Sequence, residues 1–185
     1  MWTHRAYVAA VVLGATVFAN ALFGGTAAFG ATTPTGGAVQ IYSPQSNGVH
    51  GTIVITGAIG DYGKTITINK NGKPDSNGDY VDIVLHKGTF EINSTAFNAE
   101  TKNLQPTVYT ATCSAVGSAT GSVTVFNGTG LYKGISGTVN VIATFGFIGP
   151  LYKSGKNKGQ CNLSNSAQPV SQYTLITGNG TVSFG

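Results

Sequence analysis

The sequence predicts an all-β fold, either an antiparallel barrel or a sandwich, and three observations lead to this prediction. Short segments in which apolar and polar residues alternate recur along the chain. Clusters of turn-forming glycine, asparagine and proline separate these segments at intervals of roughly 8–12 residues. Beyond the N-terminal region, no segment of helix length shows a helical apolar period.

The predicted strands, in chain order, lie at residues 39–42, 52–56, 65–69, 79–86, 89–93, 108–116, 122–126, 138–145, 173–177 and 180–184. Lys87 and Gly88 are expected to form the two-residue turn of a hairpin, which places His86 opposite Thr89. Residues 94–105 lack strict alternation, so they predict a surface loop with one helical turn.

The N-terminus has the pattern of a secretory signal peptide. The basic residues His4 and Arg5 precede an uncharged apolar run at residues 6–22, and small residues follow that run. Cleavage is expected before Ala31, and Thr26-Ala27-Ala28 forms a second candidate site. The chain is therefore predicted to be secreted into the extracellular space.

The predicted organisation is a signal peptide at residues 1–30, a flexible leader at 31–37 and a single β domain at 38–185. Only 9% of the residues are charged, against roughly 25% in an ordinary soluble domain. The lysines form no basic run of the kind that neutralises phosphates. We therefore expect no nucleic-acid partner, and no stable membrane insertion after cleavage.

The chain has two cysteines, Cys113 and Cys161. An even pair in an exported chain is most simply one disulfide, which would attach the irregular stretch at residues 146–165 to the strand that carries Cys113. In the chain-entropy account, such a bond stabilises the fold by roughly 4 kcal/mol. The alternative is two free, buried thiols.

A glycine-rich turn precedes the strand predicted at 138–145. Its sequence is Gly-Thr-Gly-Leu-Tyr-Lys-Gly-Ile-Ser-Gly, with glycines at Gly128, Gly130, Gly134 and Gly137. This run resembles the Gly-Thr-Gly-x-(Tyr/Phe)-x-Gly-x-x-Gly signature of the allene oxide cyclase and dirigent barrel superfamily, in the form found in secreted actinobacterial proteins. Residues 178–182 match it more weakly. The resemblance implies an eight-stranded antiparallel β-barrel and, by analogy with plant members, a homo-oligomer such as a trimer.

The predicted hairpin carries the candidate catalytic residues. Alternation places Tyr80, Asp82, His86 and Glu91 on one face, with the apolar residues on the other. If the polar face lines the barrel, it can perform acid and base chemistry on a small apolar substrate. If it faces water, it is the ordinary polar side of a half-buried strand pair.

Two other segments carry candidate ligand contacts. Asp61 and Tyr62 lie among glycines, where they either cap a turn or reach a ligand at a barrel mouth. Phe147 and Tyr152 belong to an apolar segment that forms a lid, a subunit interface or part of the core. Residues 75–86 lack the glycine and glutamate of an EF-hand loop, so no metal site is predicted, and no cofactor fingerprint is present.

These observations predict a secreted barrel that binds a small apolar ligand or an extracellular partner. The first alternative is an isomerase similar to the allene oxide cyclases, or a dirigent-like protein that steers the coupling of reactive intermediates. The second is a structural protein of the envelope or extracellular space. Ligand binding and catalysis both require a lumen that is open to solvent, whereas a structural role does not.

Overall fold

Eight antiparallel strands close on themselves into a barrel in the computed structural model of the chain. The structure describes residues 34–45, 48–102, 104–162, 164 and 166–185. The order around the barrel is β5-β4-β3-β2-β1-β9-β8-β7, and pairing of β5 with β7 completes the ring. The predicted fold class is therefore confirmed. The predicted signal peptide lies outside the described residues.

The strands, in chain order, are β1 (Gly37–Gln45), β2 (His50–Gly57), β3 (Asp61–Ile68), β4 (Tyr80–Leu85), β5 (Gly88–Asn93), β6 (Thr107–Tyr109), β7 (Ser114–Phe126), β8 (Ile135–Ile148) and β9 (Ser171–Phe184). Helix α1 (Thr95–Thr101) follows β5, which agrees with the helical turn predicted there. A 3-10 turn spans Gly130–Tyr132. Strand β6 pairs with the start of β7, outside the ring. Within the described part of the chain, no helix is long and apolar enough to span a membrane.

Alternation along each strand builds the core, because every second side chain points into the barrel. The buried apolar side chains contributed by the strands include Val39, Ile41, Ile53, Ile55, Ile83, Leu85, Phe90, Ile92, Val123, Val125, Val139, Val141 and Val182. Phe97 of helix α1 and Tyr132 of the 3-10 turn join the same cluster. The apolar face predicted for the β4–β5 hairpin is thus the inward one.

The predicted register of that hairpin is wrong by two residues. Leu85 pairs with Gly88, so the two-residue turn is His86-Lys87 and not Lys87-Gly88. The reason is a contact remote in sequence, since the Lys87 amide donates to the buried carboxylate of Asp61 at 3.0 Å. A shift of two residues preserves the inward and outward faces.

Several predicted strand boundaries are also wrong. Residues 108–116 are interrupted by a turn at 110–113, whereas the strands predicted at 173–177 and 180–184 merge into β9. The glycines between the merged segments fit inside a strand because neighbouring backbone lies against them. A Cβ at Gly180, for example, would overlap the carbonyl oxygen of Thr138. These glycines therefore permit close approach and form no turn.

The glycine motif closes one end of the barrel, which we call the closed end. Gly130 and Gly134 have φ values of 58° and 76°, in the left-handed region that other residues rarely adopt. A Cβ at Gly128 would overlap the carbonyl oxygen of Tyr132, and one at Gly137 would overlap that of Thr181. The motif therefore folds tightly back on itself, which carries Tyr132 into the core.

The predicted pairing of Cys113 with Cys161 is confirmed, since the two sulfur atoms lie at disulfide distance and the Cα atoms are 5.3 Å apart. That Cα separation is within the usual range for a disulfide. Backbone contacts support the same junction, because the Gly149 amide donates to the Cys113 carbonyl at 2.7 Å. The loop after β8 is thereby held against the start of β7.

Replacing both cysteines with alanine is expected to lower the free energy of unfolding by about 4 kcal/mol, since the bond closes a loop with a sequence separation of 48 residues. Urea unfolding followed by circular dichroism measures the change. Wild-type protein reduced with dithiothreitol serves as the control and should match the double variant. Equal stability of the oxidised protein and the variant would contradict the expectation.

Candidate functional site

The closed end of the barrel is filled by a buried tyrosine and a buried aspartate. Tyr132 has 0% of its surface exposed, and its ring meets that of Phe90 edge to face, with ring centroids 5.7 Å apart. Its hydroxyl donates to Asp61 Oδ2 at 2.6 Å. The amides of Tyr62 and Lys87 also donate to the Asp61 carboxylate, at 2.8 Å and 3.0 Å. The described residues therefore pack closely at this end of the barrel.

The hydrogen bonds to Asp61 determine its ionisation. Burial alone raises the pKa of the carboxyl, but the bonds from Tyr132 and from the two amides outweigh burial, so that the pKa lies below its usual value. Burial and the same carboxylate raise the pKa of Tyr132. Asp61 is thus a structural anion whose charge is satisfied within the fold.

The opposite end of the barrel, which we call the open end, contains a cavity of about 90 Å³, the lumen cavity. Its apolar lining comes from all parts of the ring and from helix α1: Ile41, Ile53, Val81, Ile83, Ile92, Phe97, Val123, Val141 and Ile176. Its polar lining is confined to Ser43, Gln45, Thr65, Thr67 and Ser94. Among the residues that the structure describes, no charged side chain lines the lumen cavity.

A wider cleft of about 680 Å³, the mouth cleft, lies over the open end. It runs between helix α1 and the start of β9, with Asn98, Lys102 and Tyr173 among its lining residues. The lumen cavity and the mouth cleft share Gln45, Thr67, Val81, Ser94, Phe97 and Ile176. The two spaces are therefore adjacent, and Val81 and Phe97 lie where they meet.

Helix α1 is held at the mouth by polar contacts with the loop before β4. The side chain of Asn98 donates to Asp79 Oδ1 at 2.9 Å and to the Gly78 carbonyl at 3.2 Å. Ser94 donates through both its amide and its hydroxyl to the Asp79 carbonyl, at 2.8 Å and 2.9 Å. The helix accordingly places the ring of Phe97 over the lumen cavity.

The four hairpin candidates lie outside the barrel. Tyr80, Asp82 and Glu91 alternate with the inward-facing apolar residues of β4 and β5, and His86 lies in the exposed turn. Asp82 pairs directly with Glu91. Burial and the Glu91 carboxylate together raise the pKa of Asp82. The arrangement matches the alternative in which this face is the polar side of a half-buried strand pair.

The remaining ligand candidates also lie away from the lumen cavity. Tyr62 is exposed beside the closed end, where its ring lies 4.2 Å from that of His86. His86 Nδ1 lies 2.9 Å from the Tyr62 carbonyl oxygen and 3.7 Å from Asp61 Oδ1. Phe147 is part of β8, and Tyr152 donates its amide to Gln160 in the disulfide-bonded loop. Neither of these last two lines the lumen cavity.

Sequence reasoning missed the polar residues that do line the lumen cavity. Thr65 and Thr67 alternate with isoleucines, and a pattern of this kind favours placing the isoleucines inside. The structure does the reverse for Thr65, which pairs with the buried residues Gly51 and Ile83 on the neighbouring strands. The sequence signal that remains is the alternation itself, which gives two faces without saying which one is inside.

Comparison of the chain with protein-family models, with characterised protein sequences and with solved structures gave no significant match.

Replacing Tyr132 with phenylalanine is expected to lower the free energy of unfolding by about 1.5–3 kcal/mol, because it removes a hydrogen bond to a buried charged group. Chemical unfolding at pH 7 measures the loss. Tyr42→Phe, which alters an exposed tyrosine of β1, is the matched control and should be neutral. A neutral effect of Tyr132→Phe would show that the bond contributes nothing.

The same bond makes stability depend on pH. Because the folded pKa of Asp61 is depressed, its contribution is present above the unfolded pKa, near 3.8, and is lost as the pH falls through the folded value. We therefore lower the pH by about two units, from about 5 to about 3. Over that range we expect the free energy of unfolding to fall less for Tyr132→Phe than for wild type. An equal loss of unfolding free energy in the two proteins across that pH range would contradict this account.

Proposed function

We propose that this protein is a secreted β-barrel that binds a small apolar molecule at the open end of the barrel. The observation that carries the proposal is that an apolar lumen cavity shares six of its lining residues with a solvent-open cleft, while the other end is filled by Tyr132. The mouth cleft, at about 680 Å³, has the size of ordinary small-molecule sites, roughly 300–1,000 Å³.

The geometry suggests how such a ligand is held. The lumen cavity, at about 90 Å³, accepts a narrow apolar group, and the rest of the molecule lies in the cleft beneath helix α1. Each methylene removed from water there contributes about 0.8 kcal/mol. A mainly apolar, uncharged group is therefore favoured in the lumen, and a charged group is favoured at the cleft.

Secretion and membership of the allene oxide cyclase and dirigent superfamily belong to the same proposal. A disulfide is typical of proteins that reach an oxidising compartment, which supports export. The eight-stranded barrel and the place of the glycine motif at a tight turn support the family resemblance. The isomerase alternative lacks such support from the hairpin, because Asp82, His86 and Glu91 lie outside the lumen.

A second candidate function, contact with an extracellular partner or another copy of the chain, is favoured by one observation. Large apolar side chains are exposed where β6 to β9 extend past the barrel: Val108, Tyr109, Val116, Ile148, Leu151, Val170 and Tyr173. Exposed apolar groups that cluster in this way are typical of interaction surfaces. Native mass spectrometry of the protein from culture medium would report both its subunit count and any co-purified small molecule.

Enlarging Val81 is expected to block the binding site, because this residue lies where the cavity and the cleft join. We expect Val81→Phe to weaken binding of the neutral apolar probe N-phenyl-1-naphthylamine at least about tenfold, a loss of about 1.4 kcal/mol. Titration of probe fluorescence measures the affinity, and thermal unfolding verifies that the variant folds.

Val84→Phe is the matched control, since Val84 is on the same strand and its side chain is exposed on the outer face. This variant should bind the probe as wild type does. If wild-type protein binds no probe, the proposed function is wrong. If the two variants lose affinity equally, the probe binds somewhere other than the open end.

A further inference from the structure

One buried hydroxyl in the lumen cavity has no partner. Thr65 is 4% exposed, and its Oγ1 makes no hydrogen bond, the one buried side-chain oxygen or nitrogen in this condition among the described residues. Burying a hydroxyl in this way costs about 1–3 kcal/mol if nothing compensates it. The hydroxyl is therefore a site where a bound molecule with a hydrogen-bonding group gains an advantage.

Two neighbouring hydroxyls differ from that of Thr65 because they are already engaged. Ser43 Oγ donates to the Thr52 carbonyl at 2.7 Å and accepts from Gln45 Nε2, also at 2.7 Å. Ser94 Oγ donates to the Asp79 carbonyl at 2.9 Å. Thr65 therefore supplies the fully buried hydroxyl of the lumen lining that still lacks a partner.

Gly51 leaves the space beside this hydroxyl. It pairs with Thr65 across the β2–β3 ladder, and a Cβ at Gly51 would lie 2.6 Å from Thr65 Oγ1 and 2.6 Å from Gln45 Oε1. Gly51 has no positive φ that would demand glycine. The absence of a side chain here leaves room for these two oxygens, which a Cβ would displace.

The uncharged lining of the lumen cavity limits which ligand groups can bind there. Every polar group that lines the lumen cavity is an uncharged hydroxyl or amide. A carboxylate or phosphate at this depth would have no cation to compensate the loss of its hydration. A hydroxyl or carbonyl oxygen needs only one hydrogen bond. The Thr65 hydroxyl can donate that bond to either group, or accept one from a ligand hydroxyl.

We propose that Thr65 is the polar anchor of the binding site, and that the ligand is a neutral apolar molecule with a single hydroxyl or carbonyl group inserted into the lumen. This inference rests on the proposed function. The anchor selects among apolar molecules, because a hydrocarbon of equal shape leaves Thr65 Oγ1 unsatisfied, whereas an alcohol or a ketone satisfies it.

Benzyl alcohol and toluene test the inference as a pair of probes that differ by one hydroxyl. Each is titrated into isotope-labelled protein, and dissociation constants come from the amide shifts of Thr65, Ile83 and Ile92. Thr65→Val preserves the shape of the side chain and removes the hydroxyl. We expect Thr65→Val to raise the dissociation constant of benzyl alcohol about tenfold, which corresponds to the loss of one hydrogen bond. The dissociation constant of toluene should change less than about twofold.

Two further variants make the test specific. Thr65→Ser keeps the hydroxyl and should retain the wild-type ratio of the two dissociation constants. Thr56→Val makes the same chemical change on the exposed face of β2 and should alter neither constant. Thermal unfolding is expected to give Thr65→Val a Tm equal to or above that of wild type, since the lost hydroxyl is unpartnered.

The outcomes distinguish a failure of the anchor at Thr65 from a failure of the proposed ligand-binding function. If neither probe shifts the lumen amides of wild type, both the proposed function and the anchor are wrong. If both probes bind but Thr65→Val leaves their ratio unchanged, the barrel binds apolar molecules without an anchor at Thr65, and only the inference is overturned. A Thr65→Val variant that is less stable than wild type would show that its hydroxyl is already satisfied, and would also overturn the inference.

Discussion

The hydrogen bond between Tyr132 and Asp61 is the constraint on which the rest of the barrel depends. It joins two residues separated by 71 positions in the chain, at 2.6 Å and out of contact with water. The same carboxylate accepts from the Lys87 amide, which fixes the turn of the β4–β5 hairpin. One side chain thus connects the glycine motif, the start of β3 and that hairpin.

The glycine motif acts through shape and carries no chemistry of its own. Thr129 pairs with Thr89 through its amide at 2.8 Å, and the Leu131 amide donates to the Lys87 carbonyl at 3.0 Å. These bonds hold the 3-10 turn across the end of the hairpin, and side chains at Gly128 or Gly130 would prevent that approach. The glycines of the motif therefore act by leaving space for the backbone of this turn.

Sequence patterns predicted the fold better than the site, and particular residues show why. The inward apolar face of β4 and β5 follows from strict alternation, which survives even a register error because a shift of two residues changes no face. The turn at His86-Lys87 depends on Asp61, which lies far away in sequence. Thr65 faces inward because its two neighbours in the sheet, Gly51 and Ile83, do. Such pairing is a property of the closed ring, so a local pattern cannot reveal it.

The two halves of the barrel differ in how closely they are packed. The closed half concentrates the large, fully buried side chains Tyr132, Phe90 and Ile55, whose packing supports the fold. The open half contains a cavity and an unpartnered hydroxyl, two features that weaken a protein whose total stability is only about 5–15 kcal/mol. A barrel selected for stability alone would have valine at Thr65. The hydroxyl and the cavity are understandable if the lost stability is recovered when a ligand fills the space and bonds the hydroxyl.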